Sequence, residues 1–233
     1  MSRKVALISG ASRGIGAATA QSLFNAGWAV SLGMRQPVMP GWAETDTDRV
    51  HLFPYDATDK NAADNWAKAA SGQFGQIDAL IASAGIMIPK TPIEISDAEM
   101  TEMLEINVHA PRRLAAACWE ALGASGRGRI ILLASLSGKR VKSAMAGSYS
   151  MSKFAVIGLS HALRQAGFDQ GIRCTAVCPG FVATDMAASI SDRAPNTMTQ
   201  PEDLARVIHM LIDLPNEASV AEFAVNCQLE ERY

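Results

Sequence analysis

Lys4-Val5-Ala6-Leu7-Ile8-Ser9-Gly10-Ala11-Ser12-Arg13-Gly14-Ile15-Gly16 is a short, β-rich apolar run that passes directly into a turn holding three glycines. Residues 14–26 then take helical spacing, so the glycines sit where a strand reverses into a helix N-terminus. Glycine there lets the backbone approach a pyrophosphate, whose charge is stabilised by exposed N–H groups and the positive end of the helix dipole. The spacing is G-x-x-x-G-x-G, not the G-x-G-x-x-G of the common dinucleotide fingerprint. A turn with a purely structural purpose is the alternative at this point. Gly10 to Gly14 also satisfies G-x-S-x-G, the elbow that would make Ser12 the nucleophile of a serine hydrolase. That elbow takes an oxyanion-hole N–H from the loop of an earlier strand, and only one strand precedes Ser12.

The alternation continues along the chain. Apolar runs at 4–9, 29–33, 50–54, 79–83, 129–134, 172–178 and 222–226 are separated by helical spacing at 14–26, 60–73, 97–122, 148–167 and 201–214. This is the pattern of βαβ units. It predicts an α/β fold of the Rossmann type, a doubly wound, seven-stranded, mostly parallel sheet with helices on both faces. No linker, repeat or low-complexity tract interrupts it, so residues 1–233 read as a single domain for dinucleotide binding and catalysis. The one long stretch without periodicity, 184–200, follows a strand end. Loops of that length are usually functional, and this one is expected to close over a substrate.

Bulk composition narrows the function. With 48% hydrophobic and 19% charged residues the chain can bury a large core without disulfides. A formal net charge of −2, with its basic residues scattered, offers no field for nucleic acid or an anionic membrane. A small-molecule partner is favoured. Cys118, Cys174, Cys178 and Cys227 show no C-x-x-C spacing and read as reduced thiols of a cytoplasmic protein. Cys178, before Pro179, reads as packing rather than as a reactive group. The basic start at Met1 is followed by an apolar run too short for a secretory signal, and Glu231, Arg232 and Tyr233 match no sorting or lipidation signal. His51, His109, His161 and His209 lack zinc-ligand spacing, and no metal is expected.

The second strand decides the cofactor. An NAD site places an acidic residue about 20 positions past the glycines, to accept from the ribose hydroxyls. Here the sequence is Gly33-Met34-Arg35, and Arg13 lies in the glycine turn. Two guanidinium groups are expected to bracket a 2′-phosphate, so NADP(H) is preferred over NAD(H).

Tyr149-Ser150-Met151-Ser152-Lys153 opens a predicted helix and puts a phenol and an ammonium one turn apart on one face. A free tyrosine ionises at about pH 10, and a nearby ammonium is expected to lower that value toward neutrality. The same spacing occurs on ordinary amphipathic helices. Ser135 lies at the C-terminal end of the fifth strand, where parallel sheets bind ligands, and its hydroxyl is placed to polarise a carbonyl.

In these motifs the chain resembles the compact short-chain dehydrogenase/reductases along nearly its whole length. The matches run through the glycine turn (Gly10, Ser12, Arg13, Gly14, Ile15, Gly16), Asp56, Ala84-Gly85, Asn107, Ser135, Tyr149 with Lys153, and Pro179-Gly180 with Val182 and Thr184. The resemblance implies that Tyr149 exchanges the proton and Ser135 holds the substrate oxygen. It gives Lys153 two tasks, acidifying the tyrosine and binding the nicotinamide ribose. It also implies that Asn107 holds a proton-relay water, that Asp56 meets the adenine amino group and that Thr184 meets the carboxamide. Its reaction is hydride transfer between nicotinamide and a carbonyl or secondary alcohol, with reduction the expected direction. Relatives associate through two long helices, here 97–122 and 148–167, which implies a homodimer or homotetramer. A sensor that binds NADP(H) without turnover is the binding-class alternative, and the complete set of Asn107, Ser135, Tyr149 and Lys153 argues against it.

Some positions depart from the family pattern. Ser9 stands in place of threonine, Ala82-Ser83-Ala84-Gly85 in place of Asn-Asn-Ala-Gly, and the tail lacks the glycine-rich ending of many tetrameric relatives. Residues 139–142 lack a proline and carry Lys139, Arg140 and Lys142, either a solvated cluster or a contact for an acidic substrate. Met87, Met145, Phe181 and Met186 are candidate pocket residues and suggest a neutral, partly apolar one.

Overall fold

The computed structural model describes residues 3–229; the start at Met1 and the tail residues Glu231, Arg232 and Tyr233, read above for sorting signals, lie outside that range. The sheet comprises β1 (Val5–Ser9), β2 (Ala29–Met34), β3 (Val50–Pro54), β4 (Ala79–Ala82), β5 (Arg129–Leu133), β6 (Arg173–Pro179) and β7 (Glu222–Val225). Its order is β3-β2-β1-β4-β5-β6-β7, and every pair is parallel. All residues of β1, β2, β5 and β6 are buried, which is why these strands read as unbroken apolar runs.

The helices are α1 (Gly14–Asn25), α2 (Ala62–Phe74), α3 (Asp97–Leu104), α4 (Ala110–Ala124), α5 (Gly147–Gly167), α6 (Asp185–Ala188) and α7 (Pro201–Asp213). Consecutive strand residues serve opposite faces. Ile8, Leu32 and Ile81 pack with Leu23 of α1 and Leu204 and Ile208 of α7. Leu7, Leu80 and Ile130 pack with Trp66 of α2, Leu114 of α4 and Val156 of α5. This two-residue alternation divides the core into two layers, with about 1.5–3 kcal/mol for each large side chain fully buried.

Chain order reverses between β1 and β4, and a crevice opens at their carboxyl ends. The β2 side of the crevice is braced from below. A Cβ added to Gly33 would lie 2.5 Å from the Trp66 ring, so only glycine lets α2 approach β2 so closely. Trp66 Nε1 donates to Ser31 Oγ at 2.7 Å, and Ser31 Oγ lies 2.8 Å from His51 Nδ1.

Two expected elements differ from the sequence reading. The single helix at 97–122 is divided by a π-helical turn, Glu105–His109; one extra residue in a turn leaves the apolar periodicity nearly unchanged and so is invisible to it. The stretch 184–200 is organised rather than irregular. It contains α6 and the 3-10 turn Pro195–Thr197, and its ends are tied by a bridge between Val182 and Thr199. Elements of three or four residues are too short to show periodicity.

Candidate active site

The glycine turn has the backbone that its sequence requires. Gly10 and Gly14 have φ of +67° and +56°, a region costly for other residues. A Cβ on Gly10 would sit 2.8 Å from Ala84 N, and one on Gly16 2.3 Å from Gly10 O. Ser9 Oγ accepts from Ser83 N and Ala84 N at 3.1 and 3.3 Å, so the serine that replaces threonine still locks β1 to the segment after β4. Ile15 lines the cavity described below. Arg13 occupies the N-cap of α1 without a side-chain capping bond, and the first turn carries no acidic residue. The first-turn N–H groups of this 12-residue helix therefore suit an anion, and the turn fits a dinucleotide pyrophosphate.

The two arginines, one in the glycine turn and one past β2, meet different carboxylates. Arg35 is exposed just past β2, and its charge helps hold the carboxyl of Asp56 below its ordinary range, after the larger effect of hydrogen bonds from Thr58 N and Oγ1 at 2.9 and 2.7 Å. Arg13 Nη1 instead meets Asp185 Oδ2 of α6 at 2.6 Å, both side chains largely in solvent. Asp185 lies 172 positions from Arg13 in the sequence.

At the catalytic end, Tyr149 lies in the first turn of α5 and Lys153 one turn on, both buried. Lys153 Nζ lies 5.5 Å from the Tyr149 ring centre and donates to Leu133 O at the end of β5 at 2.7 Å. Ser135 Oγ accepts from Ser137 N at 3.1 Å and lies 3.4 Å from Pro179 O. A Cβ on Gly138 would fall 2.5 Å from Lys153 O, so the turn after Ser135 rests directly on α5.

Asn107 sits in the π turn. Its Oδ1 accepts from Ile86 N at 2.9 Å, while Nδ2 donates to Ile86 O and Ser152 Oγ at 2.9 and 3.0 Å. The widened turn thus carries an amide that clasps the segment after β4 against α5. Gly85 lies within this clasp, where an added Cβ would be 3.2 Å from Asn107 Oδ1 and 3.7 Å from Lys153 Nζ.

Burial governs the protonation of this cluster. It pushes the Tyr149 phenol up to about 12, with a hydrogen bond from Ser135 acting the other way. It draws the Lys153 ammonium down to about 8. The expected acidification of the phenol is therefore reversed here, because desolvation disfavours both charged forms and Lys153 directs a proton to a carbonyl of β5. At neutral pH the cluster holds a neutral phenol beside an ammonium.

These groups face a cavity of about 540 Å³, within the usual range for small-molecule sites. Ser135, Tyr149, Lys153, Gly85, Pro179, Gly180, Val182 and Thr184 all line it. So do Met87, Met145, Phe181 and Met186, the four apolar residues expected from the sequence. Thr184 also caps α6, its Oγ1 accepting from Ala187 N at 3.4 Å, and its Cγ2 would lie 3.2 Å from a Cβ on Gly14. Thr184 thus brings the start of the 184–200 stretch against the glycine turn. Sequence reasoning missed Ser137, Ile190, Asn226 and Gln228, which also line the cavity. Asn226 follows β7, and a Cβ on Gly180 would lie 2.5 Å from its Oδ1; no local motif signals that approach.

Other candidates fall away. Ser12 is exposed, and His51, His161 and His209 face Ser31, Glu222 and Asp213 rather than serving it as a base. Cys178 is buried, and burial pushes its thiol up to about 11, so it packs rather than reacts.

Fold and site together define a doubly wound, dinucleotide-type fold with a buried Tyr149–Lys153 pair facing the cavity at its switch-point crevice. The sequence profile described as short chain dehydrogenase matches residues 4–195, and the chain belongs to that family. It is 37% identical over 228 residues to an agropine synthesis reductase of Rhizobium rhizogenes, covering 97% of this chain and 53% of that protein. The chain thus spans about half the length of that relative. It is 31% identical to a cis-4-hydroxycyclohexanecarboxylate dehydrogenase of Sinomonas cyclohexanicum, covering 89% of this chain and 88% of the other. Among solved structures, an alcohol dehydrogenase from the archaeon Thermococcus sibiricus, complexed with 5-hydroxy-NADP, superimposes with a TM-score of 0.84 at 26% identity, covering 99% and 100% of the two chains.

Proposed function

We propose that this chain is an NADPH-dependent carbonyl reductase, with dinucleotide binding and catalysis in one domain. The observation that carries the reading is the single cavity that holds Ser135, Tyr149 and Lys153 beside the glycine turn. A nicotinamide held beside Tyr149 and Lys153 would supply or accept the hydride at the carbonyl carbon. Tyr149 donates its phenolic proton to the carbonyl oxygen, and Ser135 Oγ donates a hydrogen bond to the same oxygen. Lys153, still charged at neutral pH, stabilises the phenolate left behind and holds the nicotinamide ribose. A phenol held neutral by burial is already in the form that reduction needs, whereas alcohol oxidation must first remove its proton.

The remaining assignments follow the groove. The residues from Gly10 to Gly16 with Ala84 and Gly85 cradle the pyrophosphate, Asp56 meets the adenine, and Pro179, Gly180, Val182 and Thr184 flank the nicotinamide. Arg35 selects the 2′-phosphate, in keeping with the NADP analogue in the Thermococcus relative. Asn107 orders the proton path beside Lys153, and residues 184–200 form a lid. The exposed Met151 and Phe154 on α5 support association through α4 and α5 as a homodimer or homotetramer. The buried, unpaired thiols of Cys118, Cys174 and Cys178 suit the cytoplasm.

NADPH oxidation measured with a panel of aldehydes and ketones tests this reading. Turnover that disappears in Tyr149→Phe is expected. NADPH binding without turnover of any carbonyl would favour the sensor, and covalent labelling of Ser12 by a serine-reactive phosphonate would favour the hydrolase.

A further inference from the structure

One guanidinium joins two segments that serve opposite ends of the groove. Arg113, near the start of α4, places a single nitrogen, Nη2, 3.0 Å from Ala57 O and 2.6 Å from Glu105 Oε1. Ala57 is the middle of the turn at 56–58 that follows β3, which Thr58 closes from within by its two bonds to the Asp56 carboxylate. Glu105 opens the π turn Glu105–His109, whose Asn107 clasps Ile86 and Ser152.

The π turn makes this bridge possible. Residues eight apart on a straight α-helix differ by about 80° in direction, whereas one extra residue in the intervening turn reduces the difference to about 20°. Glu105 and Arg113 are eight apart, so the widened turn brings them onto one face. The pair is also largely withdrawn from water, with 15% of the arginine side chain and 22% of the glutamate side chain exposed, and charge-assisted bonds hold more firmly there than in solvent.

We propose that Arg113 is a positioning residue for both halves of the site: it fixes the turn that faces the adenine and the π turn that presents Asn107, so that its removal loosens both. The first half rests on the cofactor placement proposed above, in which Asp56 meets the adenine. Arg113 does not line the catalytic cavity; it acts through Ala57 O and Glu105. Arg112, one position back and exposed, supplies the control.

The test reads the two ends separately in the full chain. Isothermal titration with NADPH, and with adenosine 2′,5′-bisphosphate as a probe of the adenosine end alone, measures the first. Backbone hydrogen exchange around Ile86, whose amide Asn107 holds, measures the second. Arg113→Met should raise Kd for both ligands by about tenfold and speed that exchange by about tenfold, as for loss of a charge-assisted bond. Glu105→Gln keeps the bond to Ala57 and should speed the exchange while leaving both Kd values within about twofold of wild type; with any carbonyl that is turned over, its kcat should fall while KM for NADPH stays level. Arg113→Lys, which keeps the charge without the planar fork, should recover part of each change, and Arg112→Gln should match wild type throughout. Unchanged Kd values in Arg113→Met overturn the proposal, as does unchanged exchange in both Arg113→Met and Glu105→Gln. A Kd rise in Glu105→Gln as large as in Arg113→Met means general loosening and overturns it too. If Arg113→Met does not fold, Arg113→Lys takes its place with shifts of about threefold in the same directions, and wild-type values there count against the proposal. Wild type that binds neither NADPH nor the bisphosphate is a different result, which overturns the cofactor reading and the adenosine half of this proposal with it.

Discussion

The two ends of the nucleotide groove are built on opposite principles. At the catalytic end Asn107, Tyr149 and Lys153 are at most 8% exposed, the amide and the ammonium are held by the protein itself, and desolvation sets the protonation of Tyr149 and Lys153. At the adenosine end Arg13, Arg35 and Asp56 are exposed, and their preferences rest on single charges in water. The proposed chemistry thereby rests on the interior, and the proposed cofactor choice on side chains that substitution can change without disturbing the core. Charge interactions are strong where water is excluded and weak where it is not, so the two ends should differ in how steeply they respond to mutation.

Three substitutions probe that difference. The largest effect is expected for Tyr149→Phe, which removes the proton donor but keeps the packed ring. Its kcat for carbonyl reduction should fall by about a thousandfold, with a melting temperature close to wild type. A residual rate near wild type would remove the phenol from the chemistry. Arg35→Asp comes next and should raise KM for NADPH by about tenfold to a hundredfold through loss of a charge-assisted phosphate contact, while improving NADH. Unchanged selectivity in steady-state kinetics would take Arg35 out of the phosphate site. The smallest change is expected for Asp185→Asn. It releases Arg13 from a solvent-screened ion pair and should lower KM for NADPH by about twofold; a rise in KM would mean that the link between α6 and the glycine turn helps to hold the cofactor.

The same contrast explains what could be read from the sequence. The seven strands and their mostly parallel sense were legible because apolar runs alternate with helical stretches, whereas the strand order and its switch point come from the structure. Tyr149, Lys153 and Ser135 were legible because helical spacing and a strand end fix their positions locally. The π turn was not, since one inserted residue barely shifts the apolar stripe, and yet it is the element that presents Asn107. Nor was the fate of the exposed charges. Arg13 with Asp185 and Lys139 with Glu222 pair across 172 and 83 positions, separations at which composition and periodicity carry no information. The direction of the Tyr149 shift was also hidden, because an amine one turn away is visible in sequence whereas the depth of burial that outweighs it is not.

The central claim is that a buried, neutral phenol beside an ammonium is the acid of a reductase, and the pH dependence of kcat for carbonyl reduction at saturating NADPH tests it most directly. With Tyr149 pushed up to about 12 and Lys153 drawn down to about 8, the phenol stays protonated across the neutral range and the ammonium is the first charge lost as pH rises. The rate should be level below about pH 8 and decline above it. A rate that climbs with pH between about 6 and 9 would mean that the phenolate is the working form, and would contradict the account.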